Sequence, residues 1–128
     1  MAHENEQLIR RGYEAFANGD METLDEIFAD DITWHSPGDN PLAGDFEGKQ
    51  EVLGVLGKIG EITDSFSQEI HDVLANDDHA VALVKNRATR GGETFESTAV
   101  HVYHVENGQV TSFWNHTYDQ AKADAFFS

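Results

Sequence analysis

The chain contains no cysteine. That excludes disulfides, thiol nucleophiles and cysteine-ligated metal sites. Basic residues are scarce: eight Lys and Arg stand against 24 Asp and Glu, a formal net charge of −16. Nucleic acids and anionic membranes are held by Lys and Arg clusters, so neither is an expected partner. No apolar run approaches the roughly 20 residues of a membrane span. The N-terminal "MAHENEQLIRR" lacks the apolar stretch of a signal peptide. The expected location is therefore cytoplasmic. There is no Gly-rich phosphate loop and no H-x-x-x-H, H-E-x-x-H or EF-hand spacing, so neither a cofactor nor a metal is expected. Ser36 lacks the context of a nucleophile elbow.

What is present suits one domain over residues 1–128: the chain is 39% hydrophobic and 25% charged, ordinary values for a globular protein. The acids are scattered singly and in pairs such as Asp30-Asp31, which reads as a solvated acidic surface. Adaptation to a salty cytoplasm is the alternative explanation of that charge.

The first 60 residues carry helical spacing. Leu8, Ile9, Tyr13 and Phe16 line one face of a helix over 4–18, and Asn18-Gly19 ends it. Leu24, Ile27 and Phe28 continue at i, i+3 and i+4 after the capping residue Asp20. Ile32–Ser36 alternates as a short strand, and a loop over 37–47 holds both prolines. Val52, Leu56 and Ile59 mark a third helix over 48–62. Gly54, Gly57 and Gly60 interrupt it, and close approach of another backbone is the expected reason, with fraying of the helix as the alternative. From Asp64 the period becomes two. Phe66–Leu74, Ala80–Thr89, Phe95–Val105 and Val110–Tyr118 read as strands joined by "NDD", "GG" and "ENG" turns. Helices followed by a meander predict an α+β domain with helices on one face of a curved antiparallel sheet. The tail "YDQAKADAFF" is amphipathic, and Phe126-Phe127 is expected to pack on the domain or on a second copy.

This order, with "RRGYEAFANGDMETLDEIFADDITW" and "VHVYHVENGQVTSFWNHTYDQ", resembles the SnoaL-like branch of the nuclear transport factor two (NTF2-like) superfamily. The resemblance covers nearly the whole chain. It implies a cone with a pocket between the concave sheet face and the helices, and a homodimer formed through the sheet. It is weakly specific for chemistry, because isomerases, hydrolases, cyclases and non-catalytic binders share the fold.

Similar epoxide hydrolases and polyketide cyclases often hold an acid–base aspartate where this chain has Asn115. An amide hydrogen-bonds but does not shuttle protons at neutral pH. If Asn115 faces the pocket, Phe113 and Thr117 share its face by period two. The place of His101 depends on the hairpin. A two-residue Asn107-Gly108 turn sets it opposite Trp114 and away from Asn115. A three-residue Glu106-Asn107-Gly108 turn sets it opposite Phe113 and beside Asn115, and resemblance to the cyclases favours this second register. A Gly91-Gly92 loop pairs His101 with Ala82, so Ala82, Val84 and Asn86 share its face. Tyr13 and Phe16 point at the sheet from the first helix, and Trp34 and Ser36 enter from the first strand. His35 has the opposite parity. Alignment with ketosteroid isomerases puts Ser36 at the carboxylate base. The tyrosine donor falls on Gly12, one place from Tyr13, so the isomerase set is absent.

Two functions stay open. One is a small enzyme acting on a small hydrophobic or cyclic molecule, with His101 as proton carrier near its ordinary pKa and Asn115 as orienter. Tyr13, Phe16, Trp34, Ser36, Ala82, Val84, Phe113 and Thr117 would contact the ligand. The other is a non-catalytic binding module for such a molecule, which the missing carboxylates favour.

Overall fold

The computed structural model describes residues 3–128. Helix α1 spans Glu4–Ala17, and the His3 ring caps it by accepting from the Asn5 amide. Gly19, with φ of 69°, turns the chain into α2, Met21–Ile27, whose first turn is capped by the Asp20 carboxylate. The expected helical phase of Phe28 is not kept. Strand β1 begins there and runs Phe28–Ser36, because Phe28 and Ala29 are both buried where the chain crosses from the helical layer into the sheet.

The loop expected over 37–47 contains a short strand, β2 (Gly44–Glu47), paired antiparallel to β1. Helix α3 spans Lys49–Ile62. Its three glycines do not mark a close backbone contact: a Cβ on Gly54, Gly57 or Gly60 would meet nothing within 4 Å. All three lie on the exposed side of the helix.

The four expected strands follow as β3 (Ser65–Ala75), β4 (His79–Arg90), β5 (Glu93–Glu106) and β6 (Gln109–Thr117). The tail forms α4, Gln120–Phe127. The sheet order is β2-β1-β6-β5-β4-β3. All neighbours are antiparallel except β1 and β6, which run parallel. That pairing joins segments about 80 residues apart in sequence, beyond the reach of local pattern. Helices α1 to α3 lie over the sheet and enclose a core that includes Ile9, Leu24, Ile32, Val52 and Val110. A second cluster, Ala88, Phe95, Ala123 and Phe127, forms where α4 folds back on β4 and β5. Phe126 stacks on Phe95 and Phe127 meets the same ring edge-on, so the apolar tail packs on its own domain.

The β5–β6 hairpin follows neither expected register. Its turn has two residues, Asn107 and Gly108, both at positive φ (52° and 75°), as a tight primed turn requires. Glu106 pairs with Gln109 and Val105 with Val110, but His104 then pairs with Ser112. Thr111 is a one-residue bulge, and it shifts everything beyond it. His101 therefore stands directly opposite Asn115, on the same face. The other hairpin has the expected two-residue Gly91-Gly92 turn and pairs Ala82 with His101.

Candidate functional site

The concave face of β3 to β6 and the helices over it leave a cavity of about 160 Å³. Its apolar wall includes Leu8, Leu24, Ile27, Phe28, Leu56 and Ile59. These side chains follow the helical spacing seen in the sequence; Leu24, Ile27 and Phe28 belong to the main core and present part of their surface to the cavity. Among the described residues, no Asp, Glu, Lys or Arg lines the cavity. An ion there would lack a counter-charge in a low-dielectric space, so the chemistry favours a neutral occupant.

Of the residues singled out by sequence, His101, Asn115, Tyr13, Phe16, Trp34, Ser36, Phe113 and Thr117 all line this cavity. Trp34 stacks on Phe113, with ring centroids 3.7 Å apart. Ala82 and Val84 do not reach the cavity wall. Both are fully enclosed in the main core with Ile9 and Val73, because α1 packs over β3 and β4 at that level. His35 lies on the opposite sheet face, stacked on Trp114 and bonded to Asp45 at 2.8 Å.

His101 is the titratable group at the centre of the cavity wall, and it belongs to a chain of hydroxyls. Tyr103 donates to the Tyr13 hydroxyl at 2.7 Å. The Tyr13 oxygen lies 2.6 Å from His101 Nδ1. Tyr13 already accepts from Tyr103, so its own proton is best placed toward Nδ1. The network thereby assigns the imidazole proton to Nε2. Burial pushes the His101 pKa down to about 4. The adjacent Asn115 side chain opposes this in part, and His116 adds slightly to it. The expectation of an ordinary histidine pKa is thus corrected: the imidazole is neutral at pH 7. Burial also raises Tyr13 well above the usual phenol range, with Tyr103 adding to the effect, and it raises Tyr103 as well. Neither tyrosine readily gives up its proton.

Asn115 Nδ2 donates to Thr117 Oγ1 at 2.9 Å and, at 3.4 Å, to Ser36 Oγ. Its carbonyl oxygen is buried and makes no hydrogen bond of standard geometry. Two more cavity side chains carry such unpartnered buried oxygens, Ser97 and Gln120. The sequence reading missed Tyr103, Ser97 and Gln120. Strand parity would have found Tyr103, which is two residues from His101. Gln120 is carried by α4, and no local signal points it at the cavity.

Among the described residues no group of three or more His, Asp or Glu is arranged to hold a metal ion. No helix of the described residues is long and apolar enough to cross a membrane.

Known proteins carry the same design. Residues 9–113 match the family model of the SnoaL-like domain. Uncharacterised proteins of Mycobacterium tuberculosis and Mycobacterium bovis are each 32% identical over 123 residues, covering 94% of both chains. Among solved structures, Bal32a from a soil-derived mobile gene cassette is 35% identical. It covers 98% of this chain and 97% of its own, with a TM-score of 0.93. A Xanthomonas campestris protein with a cystatin-like fold is 26% identical over 95% of this chain and 96% of its own, with a TM-score of 0.88. TerC, crystallised with polyporic acid, shares the fold at 18% identity over 98% of this chain and all of its own, with a TM-score of 0.85. Helices over a curved six-stranded sheet, an internal cavity and a family match across most of the sequence agree: the chain belongs to the SnoaL-like domain family of NTF2-like proteins.

Proposed function

We propose that the cavity takes a small, neutral, mostly apolar ring compound whose carbonyl or hydroxyl group meets His101 and Asn115. On that compound the protein performs acid–base chemistry of the isomerase, cyclase or hydrolase kind. One observation carries the reading: a neutral imidazole, tied through Nδ1 to two buried tyrosines, sits in the wall of a cavity without charged side chains. With its proton on Nε2, His101 hydrogen-bonds and polarises a ligand oxygen in a site that excludes water. In the other tautomer Nδ1–H donates to the Tyr13 oxygen, the two tyrosine hydroxyls turn the other way, and bare Nε2 takes a proton from the ligand and returns it to another ligand atom, which restores the neutral ring. Asn115 orients the oxygen beside it.

The pKa of about 4 moves the acid limb that an ordinary histidine would place near neutrality down to acid pH. The working form is the neutral ring, so turnover is flat through neutrality and falls only as the pH drops toward 4. The measurement is turnover of cyclic ketones and enol ethers against pH, in the natural protein and in His101→Ala. Activity that survives loss of the imidazole removes His101 as proton carrier.

A second reading, binding without turnover, has its own support: among the described residues the ionisable groups on the cavity wall are His101, Tyr13 and Tyr103, none of which titrates near pH 7. Ligand affinity without turnover of any candidate would favour it. We further propose a homodimer through the outer sheet face, where Trp114 and Val100 are each more than one-third exposed. Sedimentation of Trp114→Glu against the natural chain tests it.

A further inference from the structure

The concave sheet face carries a second polar feature that the chemistry at His101 does not use. Gln68, Asn86 and Ser97 stand in one row across β3, β4 and β5, each directly opposite the next. All three line the cavity. Gln68 Nε2 donates to Asn86 Oδ1 at 3.1 Å, while the buried Ser97 hydroxyl oxygen has no partner. Ser97 lies four residues along β5 from His101, about 13 Å at the usual strand rise.

We propose that this row is a second ligand subsite, which reads a hydroxyl group at the far end of the occupant. The inference rests on the proposed cavity ligand and adds to it a shape and a second polar end. The hydrogen-bonding inventory is the reason. Two amides joined by one hydrogen bond leave an N–H donor and a carbonyl acceptor free, whichever way each is turned. Ser97 adds a hydroxyl that both donates and accepts. A hydroxyl satisfies such a set, whereas a carboxylate or an ammonium finds no opposite charge. Placing polar groups at two separated ends of an apolar cavity fixes a ligand's orientation, and it selects an elongated molecule with an oxygen function at each end.

The experiment uses two probes of the same ring skeleton, 4,4′-dihydroxybiphenyl and 4-phenylphenol. Their affinities are measured by calorimetry on the natural protein, Ser97→Ala, Asn86→Val and His101→Gln. The natural protein should prefer the diol by about tenfold, the value of one good neutral hydrogen bond. Ser97→Ala and Asn86→Val should each shrink that preference several-fold and leave 4-phenylphenol binding nearly unchanged. A diol complex should show its second oxygen within hydrogen-bond distance of Ser97 Oγ. Tight 4-phenylphenol binding that weakens in His101→Gln, without any preference for the diol, overturns the subsite alone. A preference that persists in both row variants does the same. Failure of both probes to bind the natural protein overturns the cavity-ligand reading and the subsite with it.

Discussion

Replacing His101 with a residue of similar reach that does not titrate should change how stability depends on pH. In the folded protein burial holds the ring neutral down to about pH 4. In the unfolded chain it titrates near 6.5. Well above pH 6.5 neither state binds the proton, so His101 contributes no slope. Between 6.5 and 4 the unfolded chain takes up a proton that the folded chain refuses, and stability is lost as the pH falls. Linkage gives a loss of about 0.8 kcal/mol at pH 6.0 and about 2 kcal/mol at pH 5.0, relative to pH 7.5. His101→Gln removes that component. Urea unfolding followed by the fluorescence of Trp34, stacked on Phe113, reads the difference. Lowering the pH also reduces the repulsion of a chain carrying −16 formal charges, but that contribution is common to both proteins and cancels in the comparison. For a slope of about 2 kcal/mol per molar urea, the natural protein should lose roughly 1 M more of its midpoint than the variant between pH 7.5 and 5.0. Equal midpoint shifts would refute the buried neutral imidazole, whatever the variant's absolute stability.

Other expectations follow from separate parts of the fold. Gly54→Ala, Gly57→Ala and Gly60→Ala should each stabilise the protein by about 0.5–1 kcal/mol, because the sites are open and helical; thermal melts of the triple variant decide it. Tyr13→Phe leaves His101 Nδ1 buried without its donor and should cost about 1–3 kcal/mol in urea unfolding, while Phe16→Tyr, outside the relay, serves as a control. Removing the residues after Asp124 takes away both phenylalanines packed on Phe95, so the melting temperature should fall and the exposed apolar ring should promote association; unchanged melting and unchanged sedimentation would contradict the packing. Gly38→Ala should destabilise, because Gly38 has φ of 111° and an added Cβ would press on the Gln120 and Asp124 side chains that tie the loop to α4.

Hydrophobic period determined a good deal by itself. The 3.6-residue spacing of Leu8, Ile9, Tyr13 and Phe16 and the alternation from Phe66 onward fix helices first and strands after, since only those conformations bring the apolar residues to one face. The turn residues "GG" marked a two-residue hairpin, since Gly takes positive φ at consecutive positions, whereas "NG" left two- and three-residue turns both open. Scarcity of basic residues and the absence of cysteine narrowed the function classes without any structure.

Tertiary structure decided the rest. The bulge at Thr111 set which face His101 takes, and a bulge is a compromise between a turn's register and the burial of a whole strand face, which no single hairpin encodes. Ala82 and Val84 have the parity of the cavity face yet lie sealed under α1, because cavity or core is decided by the layer above the sheet and not by the strand. The pKa of His101 follows from desolvation by everything packed around it, and its tautomer from two tyrosines 88 and 2 residues distant in sequence. The sequence determined most of the elements, though not β2, and the inward face of the helices. Only the packed layers decided which inward residues meet empty space, and with them the candidate site.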